Sequence, residues 1–162
     1  MLAKREHSKN QIPVLKKALG NAKLISYVKG STLKTKNLKV EPWKTLDPIK
    51  KILDREPELL EQFLKFIPTI AVPKIDAVAV TYGPGLEPAL WVGINLARAL
   101  ALAWQKTLIP INHLEGHIYS VLAQSEKRKM QNIKMKFPAL ALLISGGHTE
   151  LVLIRDWLKY TL

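Results

Sequence analysis

From residue 75 onward the apolar positions fall into a regular succession. The run IDAVAVTYG (75–83) is rich in β-branched residues and reads as a strand, and GPGLEPALW (83–91) reads as a turn leading into a helix. The segment ALWVGINLARALALAW (89–104) is helical and apolar on most faces, which predicts a central helix. TLIPIN (107–112) is a second strand, and a helix follows over about 113–124. SEKRKMQNIKMKF (125–137) is a polar, basic loop. PALALLISGGHTELVLIR (138–155) then reads as strand, glycine turn and strand, the pattern of a hairpin.

Upstream of residue 75 the pattern is different. Ile12, Leu15, Ala18 and Leu19 recur at helical spacing within residues 5–22, with Gly20 as a stop signal, and Pro13 suggests that the helix starts there. Residues 23–74 are lysine-rich and carry five prolines, at 42, 48, 57, 68 and 73. Within them DPIKKILDREPELLEQFLKFI (47–67) predicts one or two short amphipathic helices divided near Pro57. This region reads as an insertion, an excursion from the core. Strand, helix, strand, helix and hairpin in succession indicate an α/β fold with a mixed sheet and packed helices, without internal repeats.

Composition narrows the chemistry. The 162 residues suffice for one domain of ordinary size, and 48% apolar with 23% charged residues is ordinary for a globular chain. Cysteine is absent, which excludes disulfides, thiolate zinc sites and cysteine nucleophiles and fits a reducing cytosol. Residues 1–20 are charged throughout and do not read as a signal peptide. The most apolar run, Ile94–Trp104, is short and broken by Arg98, so no bilayer span is expected. The net charge is +12, and the excess lies mostly in residues 1–74, with sixteen Lys/Arg against seven Asp/Glu. Such a balance suits a polyanion such as RNA, and equally a solvated lysine-rich surface.

Three stretches are candidates for function. In INHLEGHIYS (111–120), His113 and His117 are four apart and share a helix face, so their imidazoles can bind one divalent ion. Glu115 lies about 200° around the helix from His113 and follows Leu114, unlike the glutamate of a zinc-protease motif. Two surface or capping histidines give the same pattern. In ISGGHTEL (144–151), Gly146 and Gly147 can turn backbone amides toward a phosphate, with Ser145 and Thr149 as hydroxyl donors and His148 beside them. An ordinary hairpin turn has the same composition. Gly83 and Gly85, around Pro84, stand where a strand ends and a helix begins, a place where α/β ligands collect and where tight turns also need glycine. No serine–histidine–acid arrangement can be assembled.

Taken together, IDAVAVTYGPGLEPALWVGINLARALALAWQKTLIPINHLEGHIYSVLA and FPALALLISGGHTELVLI closely resemble the TsaD family of tRNA N6-adenosine threonylcarbamoyltransferases. LAKREHSKNQIPVLKKAL (2–19) resembles the family segment just before its first long helix, whereas 23–74 does not resemble the short family connection. The resemblance implies an actin-like ATPase fold, shared with sugar kinases. It implies transfer of threonylcarbamoyl from threonylcarbamoyl-adenylate to N6 of the adenosine at tRNA position 37, in tRNAs reading codons that begin with A. It makes His113 and His117 metal ligands, for iron or alternatively zinc, and Leu143, Ile144, Ser145, Gly146 and Gly147 the adenylate-binding loop. Gly83, Gly85, His148 and Thr149 become further substrate contacts. TsaB-like and TsaE-like proteins, and a second chain supplying the C-terminal lobe, are the implied partners besides tRNA. The implied setting is cytoplasmic, without a membrane. Against the family pattern, the chain reads as a partial N-terminal lobe over 1–162 with its insertion at about 23–74. The family's opening phosphate-binding strand and its acidic, glycine-containing segment are not seen, and the third metal ligand implied is an aspartate of the other lobe. Other readings are a non-catalytic scaffold of the same fold, which would lack the paired histidines, a basic RNA-binding module, and a carbamoyltransferase of hydrogenase maturation, which would carry cysteine-bearing zinc fingers.

Overall fold

The computed structural model describes residues 2–28, 42–123, 135–144 and 149–161, which fall into two compact units, Met1–Ile111 and Asn112–Leu162. The chain order is α1 (Leu2–Asn21), α2 (Pro42–Ile52), α3 (Pro57–Phe66), a 3₁₀ turn (Ile67–Thr69), β1 (Ala77–Gly83), α4 (Glu87–Trp104), β2 (Thr107–Asn112), α5 (His113–Ala123), β3 (Ala139–Ile144), β4 (Thr149–Asp156) and β5 (Lys159–Thr161). This is an α/β architecture. β1 and β2 form one sheet, joined through α4, and β3, β4 and β5 form another in that order.

The first unit is built around α4. Val92, Leu96, Ala99, Leu100, Ala103 and Trp104 are buried along it, as its nearly continuous apolar surface predicts. β1 packs on it, and so do α1 and α2. Pro88 stands in its first turn, where the missing N–H leaves nothing unpaired, and Gln105 ends it in the left-handed conformation at φ 53°.

Residues 42–70 are not an excursion from this packing. Ile49, Leu53, Leu59, Phe63, Ile67 and Ile70 are buried in the same core as Ile12 and Leu19 of α1 and Leu96 and Leu100 of α4. The lysine content hid this: Lys50, Lys51 and Lys65 are exposed while the apolar residues keep helical spacing inward. The division near Pro57 is as expected: α2 stops at Ile52, and Pro57 opens α3 from the first helical position.

Pro13 does not start α1. The helix begins at Leu2 and carries Pro13 inside it, on the exposed side. An interior proline costs about 3 kcal/mol, since one helical hydrogen bond is lost. Burial of Ile12 and Leu19, at about 1.5–3 kcal/mol each, offsets that. The first turns are tied down as well: Lys4 reaches the buried Glu56 at 3.2 Å.

The second unit is an antiparallel sheet with one helix. β3 pairs with β4 from Ala139↔Ile154 to Ile144↔Thr149. The expected hairpin is therefore formed, and the expected loop at 125–137 lies almost wholly outside the described residues. Val152 and Ile154 on one face bury Ile118 of α5, with Ala139, Ala141 and Leu143 beside them. At the far end Trp157 stacks on Tyr119 at 5.8 Å and meets Phe137 edge-on at 5.4 Å. The Tyr119 hydroxyl accepts a hydrogen bond from the Leu158 N–H at 3.1 Å, so α5 is pinned to the β4–β5 turn.

Candidate metal centre

The two histidines occupy the first and fifth positions of α5. The helix starts there because the Asn112 side-chain oxygen accepts the Leu114 N–H at 2.8 Å, a capping bond worth about 1 kcal/mol. Asn112, unremarked in the sequence reading, thus sets where the turn that carries His113 begins. Its signal was legible, since asparagine before a helix is a favoured cap. Ser120 adds a bond to the His117 carbonyl at 2.7 Å.

Burial of Ile118 turns the opposite side of the helix, with His113, Gly116 and His117, toward solvent. There the imidazoles converge. Their Nε2 atoms are 3.1 Å apart, and the rings meet edge-on with centroids at 4.5 Å. Which Nε2 donates depends on the tautomers of the two rings. Two nitrogens bound to one ion at about 2.0–2.1 Å stand roughly 2.8–3.4 Å from each other. The pair therefore has the bite of a chelate, and the residues fit a divalent metal. Glu115, between them in sequence, is half-buried, and no group of three metal-binding side chains occurs among the described residues.

The glycine hairpin belongs to the same unit. Ser145, Gly146, Gly147 and His148 lie outside the described residues; the strand ends on either side do not. Leu143 points into the cluster that contains Ile118, the residue after His117, while Ile144 is exposed and pairs with Thr149. One small core therefore joins the histidine helix to the root of the hairpin. Gly83 and Gly85 are described within the other unit. At Gly85 a β-carbon would be in ordinary contact with the Leu90 side chain at 3.4 Å, and it is the backbone φ of 158°, rarely adopted by other residues, that favours glycine there.

The chain has an α/β architecture of the actin-like ATPase class, and its α5 bears two imidazoles whose Nε2 atoms are 3.1 Å apart. The sequence model of the family described as TsaD, tRNA N6-adenosine threonylcarbamoyltransferase, matches residues 53–162, and the chain belongs to that family. Among curated relatives, the tRNA N6-adenosine threonylcarbamoyltransferase of Endomicrobium trichonymphae is 53% identical over 87 residues, covering 54% of this chain and 23% of the relative. The Thermomicrobium roseum protein of that description is 52% identical over 92 residues, covering 54% and 24%, and the one from Staphylococcus aureus is 46% identical over 91 residues, covering 56% and 24%. The chain thus spans about a quarter of the length of these relatives. No described helix is long and apolar enough to cross a membrane.

Proposed function

We propose that this chain takes part in the transfer of threonylcarbamoyl from threonylcarbamoyl-adenylate to N6 of the adenosine at position 37 of tRNA. The observation that carries this reading is the 3.1 Å approach of the His113 and His117 Nε2 atoms, in a chain of this family. When bound, a divalent ion, iron or alternatively zinc, supplies Lewis-acid activation of the carbamoyl carbonyl. His113 and His117 are its two ligands from this lobe. Holding it requires both Nε2 lone pairs, so both rings would ligate as neutral imidazoles with the proton on Nδ1. Asn112 and Ile118 keep the two rings in register, one by capping the helix and the other by fixing its roll.

The hairpin between Ile144 and Thr149 is the adenylate-binding element of this reading. Leu143 anchors its root. Ser145, Gly146 and Gly147 have no large side chains, so in this reading they would serve through backbone amides and the hydroxyl. Gly83, Gly85, His148 and Thr149 are further contacts of the same proposal. The adenosine amine is a weak nucleophile, and positioning against an activated carbonyl supplies much of the rate. TsaB-like and TsaE-like proteins as partners, and a cytoplasmic setting, complete the proposal.

Metal titration tests it. The chain should take up one divalent ion, seen by isothermal titration or by the Co²⁺ absorption spectrum, and the double variant His113→Ala/His117→Ala should take up none. Equal uptake by the double variant would remove the basis of the assignment.

A further inference from the structure

Helix α4 is apolar around most of its surface except along one line. Glu87, Trp91, Asn95 and Arg98 follow each other at helical spacing and border a cleft of about 920 Å³ in the first unit. The facing wall comes from the end of α2 and the link to α3, with Lys51, Asp54 and Arg55, and Lys4 of α1 completes it. That volume lies within the range of ligand clefts, about 300–1,000 Å³.

The charges in the cleft are unequal in their engagement. Glu56 is buried, with one carboxylate oxygen on Lys4 at 3.2 Å and the other accepting from the Asn95 amide at 3.2 Å. Glu87 accepts from the Trp91 indole N–H at 3.3 Å. Lys51, Arg55 and Arg98 are all exposed, and among the described residues none forms an ion pair, although Asp54 and Glu87 border the same cleft. Trp91 is 45% exposed, a large aromatic surface left in water and held at its edge by Glu87. Three unpaired cations around an exposed indole match a strand that offers phosphates and a stacking base. The Lys/Arg excess of residues 1–74 gives the same unit a field of the right sign for such a strand.

We propose that this cleft is a contact site for a strand of the tRNA. Trp91 stacks on a base, and Lys51, Arg55 and Arg98 hold the neighbouring phosphates. The satisfied triad of Lys4, Glu56 and Asn95 forms the floor and keeps α1, α3 and α4 in place. The inference rests on the reading of tRNA as substrate, and it assigns the lysine-rich helices a role in recognition as well as in the core.

The experiment is binding of fluorescently labelled tRNA to the full chain by anisotropy over a series of salt concentrations. The triple variant Lys51→Glu/Arg55→Glu/Arg98→Glu should weaken binding at least about tenfold. It should also flatten the dependence of log affinity on log salt by about 0.7–0.9 per lost phosphate contact. Trp91→Ala should weaken binding about tenfold with the salt slope kept, since stacking releases no counterions. Lys16→Glu/Lys17→Glu, at exposed positions of α1 that do not border the cleft, should do less than the triple change. Circular dichroism checks folding, and the single changes Lys51→Ala and Arg98→Ala repeat the test if the triple variant does not fold. A wild-type chain that does not bind tRNA, a triple variant with unchanged affinity and slope, or a control that loses as much each overturns the inference. Metal uptake, measured on the same proteins, judges the histidine reading separately, because none of these changes touches His113 or His117.

Discussion

Single residues decide whether α5 can present two ligands at once. In the proposed site, His113 and His117 can share an ion only while the first turn of the helix is formed, and the Asn112 side-chain bond to the Leu114 N–H caps that turn. Replacing either histidine by alanine leaves one ligand. Metal affinity should fall by more than the roughly 10–100-fold that follows loss of an outer-shell group, as isothermal titration would show. Asn112→Ala should act more gently. It should lower stability by about 1 kcal/mol, a shift of roughly 2–4 °C in melting temperature for a chain of this size. It should also weaken metal binding without abolishing it. Unchanged melting and unchanged affinity in Asn112→Ala would mean that the helix start is set by something other than its cap.

Among the elements, the helical pair of residues 42–66 and the proline inside α1 give opposite predictions. Phe63 is almost fully buried, between α3 and the helices around it. Phe63→Ala should destabilise the first unit by about 3–5 kcal/mol, read from denaturant unfolding. A loss under about 1 kcal/mol would show that the helices sit loosely on α1 and α4. Pro13 is exposed and occupies a helical position where its ring excludes a hydrogen bond. Pro13→Ala should therefore raise stability, by up to about 3 kcal/mol. In the second unit, Tyr119→Phe keeps the stack on Trp157 but removes the acceptor for the Leu158 N–H. The expected loss is about 1 kcal/mol.

On the scale of the whole molecule, the outer face of the β3–β4 hairpin stands out. Leu140, Leu142, Ile144 and Leu151 are each more than half exposed, and the register aligns them on one side, Leu142 opposite Leu151. A contiguous apolar face of this kind favours association. The chain should self-associate as concentration rises, followed by light scattering, and Leu142→Lys should reduce this without lowering the melting temperature. A variant that scatters as strongly as the wild type would place the sticky surface elsewhere.

What the sequence determined by itself was whatever depends on local periodicity. The central helix, the strand at 107–112, the histidine helix and the hairpin all came out within a few residues, because burial on one side imposes a period of 3.6 or 2 on the composition. The shared face of His113 and His117 follows from helical spacing alone. Local signals failed where packing overrode them: Pro13 marked a helix start that tertiary contacts of Ile12 and Leu19 carry past, and a lysine-rich, proline-punctuated segment proved to hold much of a core. Only the tertiary structure set the 3.1 Å approach of the two imidazoles, because spacing permits it while the rotamers and the helix roll fixed by Ile118 and Tyr119 bring it about. The cleft around Trp91 was beyond sequence reasoning for the same reason. Its walls come from residues about 40 and 90 positions apart, and no local pattern records which charges in it find partners and which do not.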